Sequence, residues 1–266
     1  MADTKKTVRH LLGLSGGKDS AALAIYLRDK VPEMEYYFTD TGAELPETLE
    51  FIDVLEDFLG KKIERLNADR DFEYFLKLHN NFLPSAQRRW CTINLKIIPF
   101  EEFVGDDEVI SYIAIRADEP SRTGHTPTKP NIKTCMPFRE DNITKEDVIN
   151  ILESCGIGLP KYYSWRSRSG CYFCFFQKQR EWLGLKKHHP EFFEKAKSYE
   201  KFYQDGEAKY TWNQLGPLED VVKRAEANKA LDTAKIKPRR LFDQIASEDS
   251  DEDDDDDSGS CFFCMK

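Results

Sequence analysis

The 266-residue sequence predicts an α/β fold, with a parallel twisted sheet covered by helices on both faces and a mainly helical, cysteine-bearing C-terminal part. Three observations predict it. Short apolar runs alternate with segments of helical period, the pattern of βαβ units. A glycine-rich turn leads directly from the first run into a helix, as at the ligand-binding strand ends of open sheets. A later run over 109–116, VISYIAIR, is apolar almost throughout, as expected of a strand buried on both faces.

Residues 8–14 form the first strand, and 19–30 a helix carrying Ala22, Leu23, Ile25, Tyr26 and Leu27 largely on one face. The second strand, 34–39, stops at Asp40. Pro46 opens a helix reaching Leu59, with Leu49, Ile52, Leu55, Phe58 and Leu59 as its buried stripe. Residues 62–66 make a third strand. The stretch 117–137 holds four prolines and few apolar residues, so it reads as a substrate-side loop. Thr144 caps a helix to Cys155 that turns Val148, Ile151 and Leu152 inward, with Gly156 as its C-cap. Further helices are expected over 190–203 and 217–231. His188 and His189, just before Pro190, mark a helix boundary, with metal ligation as the other reading. The organisation expected is an α/β domain over 1–140, a helical, metal-binding part over 141–246, and an acidic tether over 247–266 ending in a cysteine pair.

Of the acidic side chains behind the net charge of −9, nine lie between Glu248 and Asp257, which leaves the rest of the chain close to neutral. That block repels itself and buries nothing, so it is expected to be a disordered tether, or a tail that docks a partner. No run of about 18 apolar residues is present to cross a membrane. MADTKKTVRH lacks the apolar core of a secretory signal, and the expected location is cytoplasmic. Seven cysteines then point to metal or redox chemistry rather than structural disulfides.

The first turn, SGGKDS, concentrates anion chemistry. Gly13, Gly16 and Gly17 allow a sharp turn that presents N–H groups, and the following helix adds its partial positive charge. Lys18 adds a full charge, and Ser15 and Ser20 add hydroxyls. The Walker phosphate loop needs a different glycine spacing and Ser or Thr after the lysine, where Asp19 stands.

SGGKDS resembles the signature of the PP-loop ATP pyrophosphatases, which cleave ATP between the α and β phosphates and adenylate a substrate. FTDTGAELPET over 38–48, RRWCTINLKIIP over 88–99, IAIRADEPSR over 113–122 and GCYFC over 170–174 are similar to the branch holding phosphoadenosine phosphosulfate (PAPS) reductases and the sulfurtransferases of DNA phosphorothioation. The resemblance implies an adenine nucleotide alpha hydrolase-like fold. It implies Asp40 beside the nucleotide, Arg116 facing phosphate or sulfate, and Lys96 and Arg122 as further anion contacts. Ser15, Gly16, Gly17, Lys18, Asp19 and Ser20 would hold ATP, with Mg2+ at Asp19 or Asp40, and Lys18, Asp19 and Arg116 would be catalytic. PAPS reductases generally lack the lysine of SGGKDS and use a cysteine in a C-terminal ECGIH-like segment. Here Lys18 is present and no such segment follows GCYFC, which favours ATP over a sulfonucleotide.

Two CxxC pairs, Cys171 with Cys174 and Cys261 with Cys264, suit one tetrahedral zinc by spacing alone. The resemblance implies instead a four-iron four-sulfur cluster held by Cys91, Cys171 and Cys174, with a fourth ligand from Cys261, Cys264, Cys135 or an exogenous sulfur. Free or redox-active thiols are a third reading, and Cys155 reads as a small buried residue. Phe173, Phe175 and Phe176 read as packing around this motif, with base stacking as the alternative. The doublets Arg88–Arg89, Arg166/Arg168 and Arg239–Arg240 are small basic groups able to flank a nucleic-acid groove or sit as solvated surface.

The expected function is an ATP-dependent adenylating enzyme in sulfur transfer or nucleic-acid modification. A sulfur-donor protein, a nucleic acid or a partner docked on the acidic tail are the expected associates, and a membrane is not. A PAPS-type reductase and a non-catalytic nucleotide-binding subunit are the alternatives.

Overall fold

The computed structural model describes residues 8–124, 127–204 and 206–232. Its centre is a five-stranded, all-parallel sheet in the order β3-β2-β1-β4-β5. The strands are β1 (Arg9–Gly13), β2 (Glu35–Asp40), β3 (Ile63–Asn67), β4 (Val109–Tyr112) and β5 (Ile132–Cys135). The chain builds outward from β1 to β3 on one side, then crosses back to β4 on the other. The order therefore reverses between β1 and β4, where open α/β sheets form their ligand crevice.

Strand alternation divides the core. Leu12, Tyr36 and Phe38 face one side, where α1 (Lys18–Leu27), α2 (Pro46–Leu59) and α7 (Lys145–Ser154) cover them. Leu11 and Tyr37 face the other, against Phe100 and Val104, with the Tyr37 and Phe100 rings stacked at 5.0 Å. A third core is aromatic and joins α3 (Phe72–Leu78) and Trp90 to the C-terminal helices through Phe173, Trp182, Phe193 and Trp212. Those helices are α8 (Gln179–His188), α9 (Pro190–Ser198) and α10 (Leu218–Asp232).

One helical run links two of these cores. It consists of α4 (Trp90–Thr92), a π-helical turn over Ile93–Ile97, and α5 (Ile98–Val104). Trp90 and Leu95 pack into the aromatic core, whereas Ile97, Phe100, Phe103 and Val104 pack under the sheet. The extra residue of a π turn changes the phase of the apolar stripe between the two, and Pro99, with no N–H to donate, stands just after it.

Several elements differ from the sequence expectation. In α2, Ile52, Leu55 and Leu59 are buried as expected, but Leu49 is 37% exposed and Thr48 and Phe51 complete the buried face instead. The run over 109–116 pairs as a strand only to Tyr112, and 113–116 continue buried but outside the ladder. The stretch 117–137 contains the short edge strand β5 and ends at α6 (Pro137–Glu140), hidden in the sequence among prolines. The helix expected over 190–203 stops at Ser198, and β6 (Lys201–Phe202) pairs antiparallel with β7 (Ala208–Tyr210). At α7 the cap is reciprocal to the expected sense: the Asp147 carboxylate accepts from the Thr144 N–H at 2.8 Å and hydroxyl at 2.7 Å. Gly156 follows that helix at φ 79°.

Candidate functional site

SGGKDS forms the turn between β1 and α1, at the edge of the crevice. Gly16 sits at φ 74°, and a Cβ there would lie 2.4 Å from Thr48 Cγ2. Only glycine allows α2 to approach so closely. The Ser20 hydroxyl closes the turn, donating to the Gly17 carbonyl at 3.2 Å and accepting from the Ser15 N–H at 3.1 Å.

The C-terminal part covers this turn. The 3-10 turn Lys161–Ser164 brings two buried tyrosines onto it. Tyr162 donates its hydroxyl to the Gly16 carbonyl at 2.6 Å, and the Tyr163 hydroxyl accepts from the Lys18 N–H at 3.2 Å. Ser169 donates to the Ser15 hydroxyl at 3.2 Å.

A chain of charges crosses from this turn to the segment after β4. Lys18 Nζ lies 3.3 Å from Asp19 Oδ2, and Arg116 Nη1 lies 2.9 Å from Asp19 Oδ1. Arg116 also contacts Asp118 at 2.9 Å, and Glu119 pairs with Arg122. Burial opposes ionisation of Asp19, but Lys18 and Arg116 outweigh it and hold the carboxyl down at about 2. Although its own burial works against charge, Arg116 is raised by Asp19 and Glu119. Asp40 ends β2 with Oδ1 accepting from the Gly42 N–H at 2.9 Å, which shapes the turn into α2.

The cysteines of GCYFC meet this β2–α2 turn. The Tyr172 N–H donates to the Ala43 carbonyl at 2.8 Å, and the Cys171 sulfur lies 3.2 Å from the Thr41 hydroxyl. Burial pushes the Cys91 thiol up to about 12, and Cys171 and Cys174 beside it add to the rise. Burial likewise pushes Cys171 to about 11, assisted by Glu44. Lys96 counters the rise at both thiols. Lys96 also acts on Glu44, so the three cysteines, Glu44 and Lys96 lie within electrostatic reach of one another. Among the described residues, no group of three or more His, Cys, Asp or Glu gathers into a ready-made metal cage. Cys135 keeps other company, its thiol 3.8 Å from Glu140. Cys155 closes α7 half-buried, its thiol donating to the Leu152 carbonyl at 3.3 Å. Cys261 and Cys264 lie outside the described residues, as do Arg239, Arg240 and the acidic block.

The aromatic and basic motifs separate. Phe173 is buried between Phe72 and Trp212, whereas Phe176 is half-exposed with Arg89 at 4.9 Å and Arg168 at 5.2 Å from its ring. Arg166 is fully buried and donates to the Gly170 and Cys171 carbonyls, both at 3.0 Å, so it is not surface charge. His188 and His189 do end α8, and His189 Nε2 lies 2.8 Å from Glu47. Four participants escaped the sequence reading: Glu44, Tyr162, Tyr163 and Ser169. Glu44 stands inside FTDTGAELPET, and the tyrosines adjoin only one another, without a motif. Burial raises Glu44 to about 7 against the pull of Lys96, while its carboxylate accepts from the Thr41 hydroxyl at 2.7 Å.

The parallel sheet, the crevice at its switch point and the SGGKDS turn define an α/β fold of the PP-loop type. Residues 9–137, just under half of the chain, match the family model described as "Phosphoadenosine phosphosulfate reductase domain". An uncharacterised protein of Methanocaldococcus jannaschii is 26% identical over 206 residues, covering 73% of this chain and 42% of its own length. A second from that organism is 24% identical over 230 residues, covering 81% and 54%, so the chain spans about half the length of these relatives. An uncharacterised nin-region protein of Escherichia phage lambda is 25% identical over 209 residues, covering 66% of this chain and 68% of its own. Among solved structures, PAPS reductase from Candida auris in a phosphate complex aligns at a TM-score of 0.49 with 13% identity, over 62% of this chain and 82% of that one. The U34-tRNA thiolase NcsA of Methanococcus maripaludis with its [4Fe-4S] cluster aligns at 0.41 with 16% identity, over 73% and 71%.

Proposed function

We propose that this protein is an ATP pyrophosphatase of the PAPS reductase-like branch that adenylates an acceptor for sulfur transfer. The observation that carries the reading is Lys18, 5% exposed, fixed at the phosphate turn by Asp19 and overlooked by Tyr163. An acceptor oxygen would attack the α-phosphorus, and the bond to the β-phosphate oxygen would break with both electrons on the departing pyrophosphate. Lys18, the turn amides and the Ser15 and Ser20 hydroxyls then stabilise that anion as its charge grows. Arg116, held in line by Asp19, Asp118 and Glu119, is oriented to neutralise a second phosphate oxygen. With two cations already on its carboxylate, Asp19 suits the role of positioning Lys18 and Arg116 better than that of a magnesium ligand. Magnesium would instead arrive with ATP and meet Asp40 at the end of β2.

Cys91, Cys171 and Cys174 suit a thiolate-bound metal group by donor type, and binding would have to draw them together, with Lys96 available to balance negative charge. An iron-sulfur cluster held there would supply bound sulfur for the activated acceptor, and zinc would supply rigidity only. Protein purified without air should release pyrophosphate and AMP from ATP. Undiminished turnover in a folded Lys18→Ala variant would rule the reading out. The family description supports a second reading, reduction of a sulfonucleotide, and a preference for PAPS over ATP in equilibrium binding would favour it.

A further inference from the structure

We infer that Ser169 is an additional pyrophosphate-binding residue, a hydroxyl delivered to the phosphate turn by the same segment that carries the cysteine pair. The inference rests on the nucleotide-binding reading of the turn and extends it to a residue outside SGGKDS.

Ser169 stands directly over the turn. Its hydroxyl donates to Ser15 Oγ at 3.2 Å, and Ser15 Oγ lies 3.1 Å from Ser20 Oγ, so three hydroxyls line one side of the loop. A Cβ on Gly17 would come within 2.8 Å of Ser169 Oγ. Gly17 is therefore bare where Ser169 approaches, and the segment over 166–171 forms part of the wall of the loop.

Its neighbours hold Ser169 rigidly. On one side, the Ser167 N–H and hydroxyl both donate to Glu181 Oε1 at 2.7 Å. On the other, Arg166, 1% exposed, grips the Gly170 and Cys171 carbonyls. Glu181 is fully buried, and it stays ionised because Arg168, Arg166 and Ser167 outweigh the burial that opposes its charge. A buried carboxylate and four hydrogen bonds are a large investment for one turn. Their joint effect is to present a single short hydroxyl to the phosphate loop at little further entropic cost.

A phosphate oxygen entering the loop would accept from the Ser15 and Ser169 hydroxyls in place of the bond they make to each other. The ligand class is an anion with two linked phosphates, either pyrophosphate itself or the terminal phosphates of ATP. AMP, lacking them, does not reach Ser169. Because Gly170 and Cys171 follow immediately, an anion so held also steadies the cysteine segment.

The test uses the full chain, with Ser169→Ala compared against wild type in calorimetric titrations of ATP, pyrophosphate and AMP. Loss of one charge-assisted hydrogen bond should weaken ATP and pyrophosphate by about tenfold and leave AMP within about twofold. In parallel, ATP should slow amide hydrogen exchange over 169–174 in wild type, and much less in the variant. Pyrophosphate binding unchanged in Ser169→Ala overturns the inference while leaving the nucleotide reading intact. Equal weakening of AMP and pyrophosphate overturns it too, since that is the mark of a merely structural serine. Wild type that binds neither ATP nor pyrophosphate removes the nucleotide reading itself.

Discussion

The phosphate turn and the cysteine corner adjoin one another yet handle charge in opposite ways. At the turn every charge has a fixed opposite: Lys18 with Asp19, Asp19 with Arg116, Arg116 with Asp118 and Glu119. In the corner, burial keeps Cys91 and Cys171 protonated, and even Glu44 beside them is raised to about 7. The turn thus holds its charges in fixed positions. The corner is electrically quiet until something exchanges with its protons, as a thiolate-bound metal does. Under the proposed function, one side would activate and the other deliver.

The contrast breaks most sharply at Lys18. Lys18→Ala should lower pyrophosphate release by about a hundredfold or more, with the fold retained by circular dichroism, since one preorganised charge on a leaving group has that order of effect. Cys91→Ser should remove most of the iron or zinc measured by elemental analysis of anaerobically purified protein. Cys135→Ser, altering a thiol engaged with Glu140, should leave the metal content unchanged. If both behave alike, the three-sulfur corner is not the metal site.

Gly16→Ala sharpens the comparison at the level of folding. A methyl 2.4 Å from Thr48 Cγ2, at a positive φ, should cost about 1–3 kcal/mol in urea unfolding, whereas Gly42→Ala meets no neighbour and pays only for its φ of 70°. For Asp19 the expected pH response follows from its sign. Its pKa of about 2 lies below the ordinary 3.8, so its ion pairs stabilise the fold above roughly pH 4, and that stability drains away as pH falls toward 2. Thermal melts of Asp19→Asn should be flatter than wild type across that window. A pH response of opposite sign belongs to Glu200, raised by burial to about 7 from 4.5 even while the Trp212 and Leu218 amides donate to it. Its contribution is fully present below about pH 4.5 and declines as pH rises to 7, so Glu200→Gln should melt with a shallower pH slope between those values.

The sheet was readable because β1, β2 and β3 announce themselves by apolar runs separated by periodic helices, and SGGKDS fixes the turn between β1 and α1. What stayed hidden depends on distance along the chain. β5 has four residues, two of them exposed, and becomes a strand only because β4 lies beside it. The β6–β7 hairpin is too short to leave a period. The electrostatic reach of Lys96 to Glu44 and the cysteines is equally hidden, because it depends on how the helical run over 90–104 packs. The tyrosine cover of the phosphate turn comes from more than 140 residues away, and no local pattern marks a hydroxyl that will cap a distant glycine carbonyl.

That helical run has a genetic consequence. A π turn is an ordinary helix with one residue inserted. Deleting a single codon within 93–97 would restore a regular helix, removing no charged pair if Lys96 is spared, and α5 would remain seated under the sheet. Everything before the deletion, Cys91 included, would swing about 100° around the helix axis. Chain length in those five positions, rather than the identity of any one of them, decides how the first cysteine is placed relative to the other two.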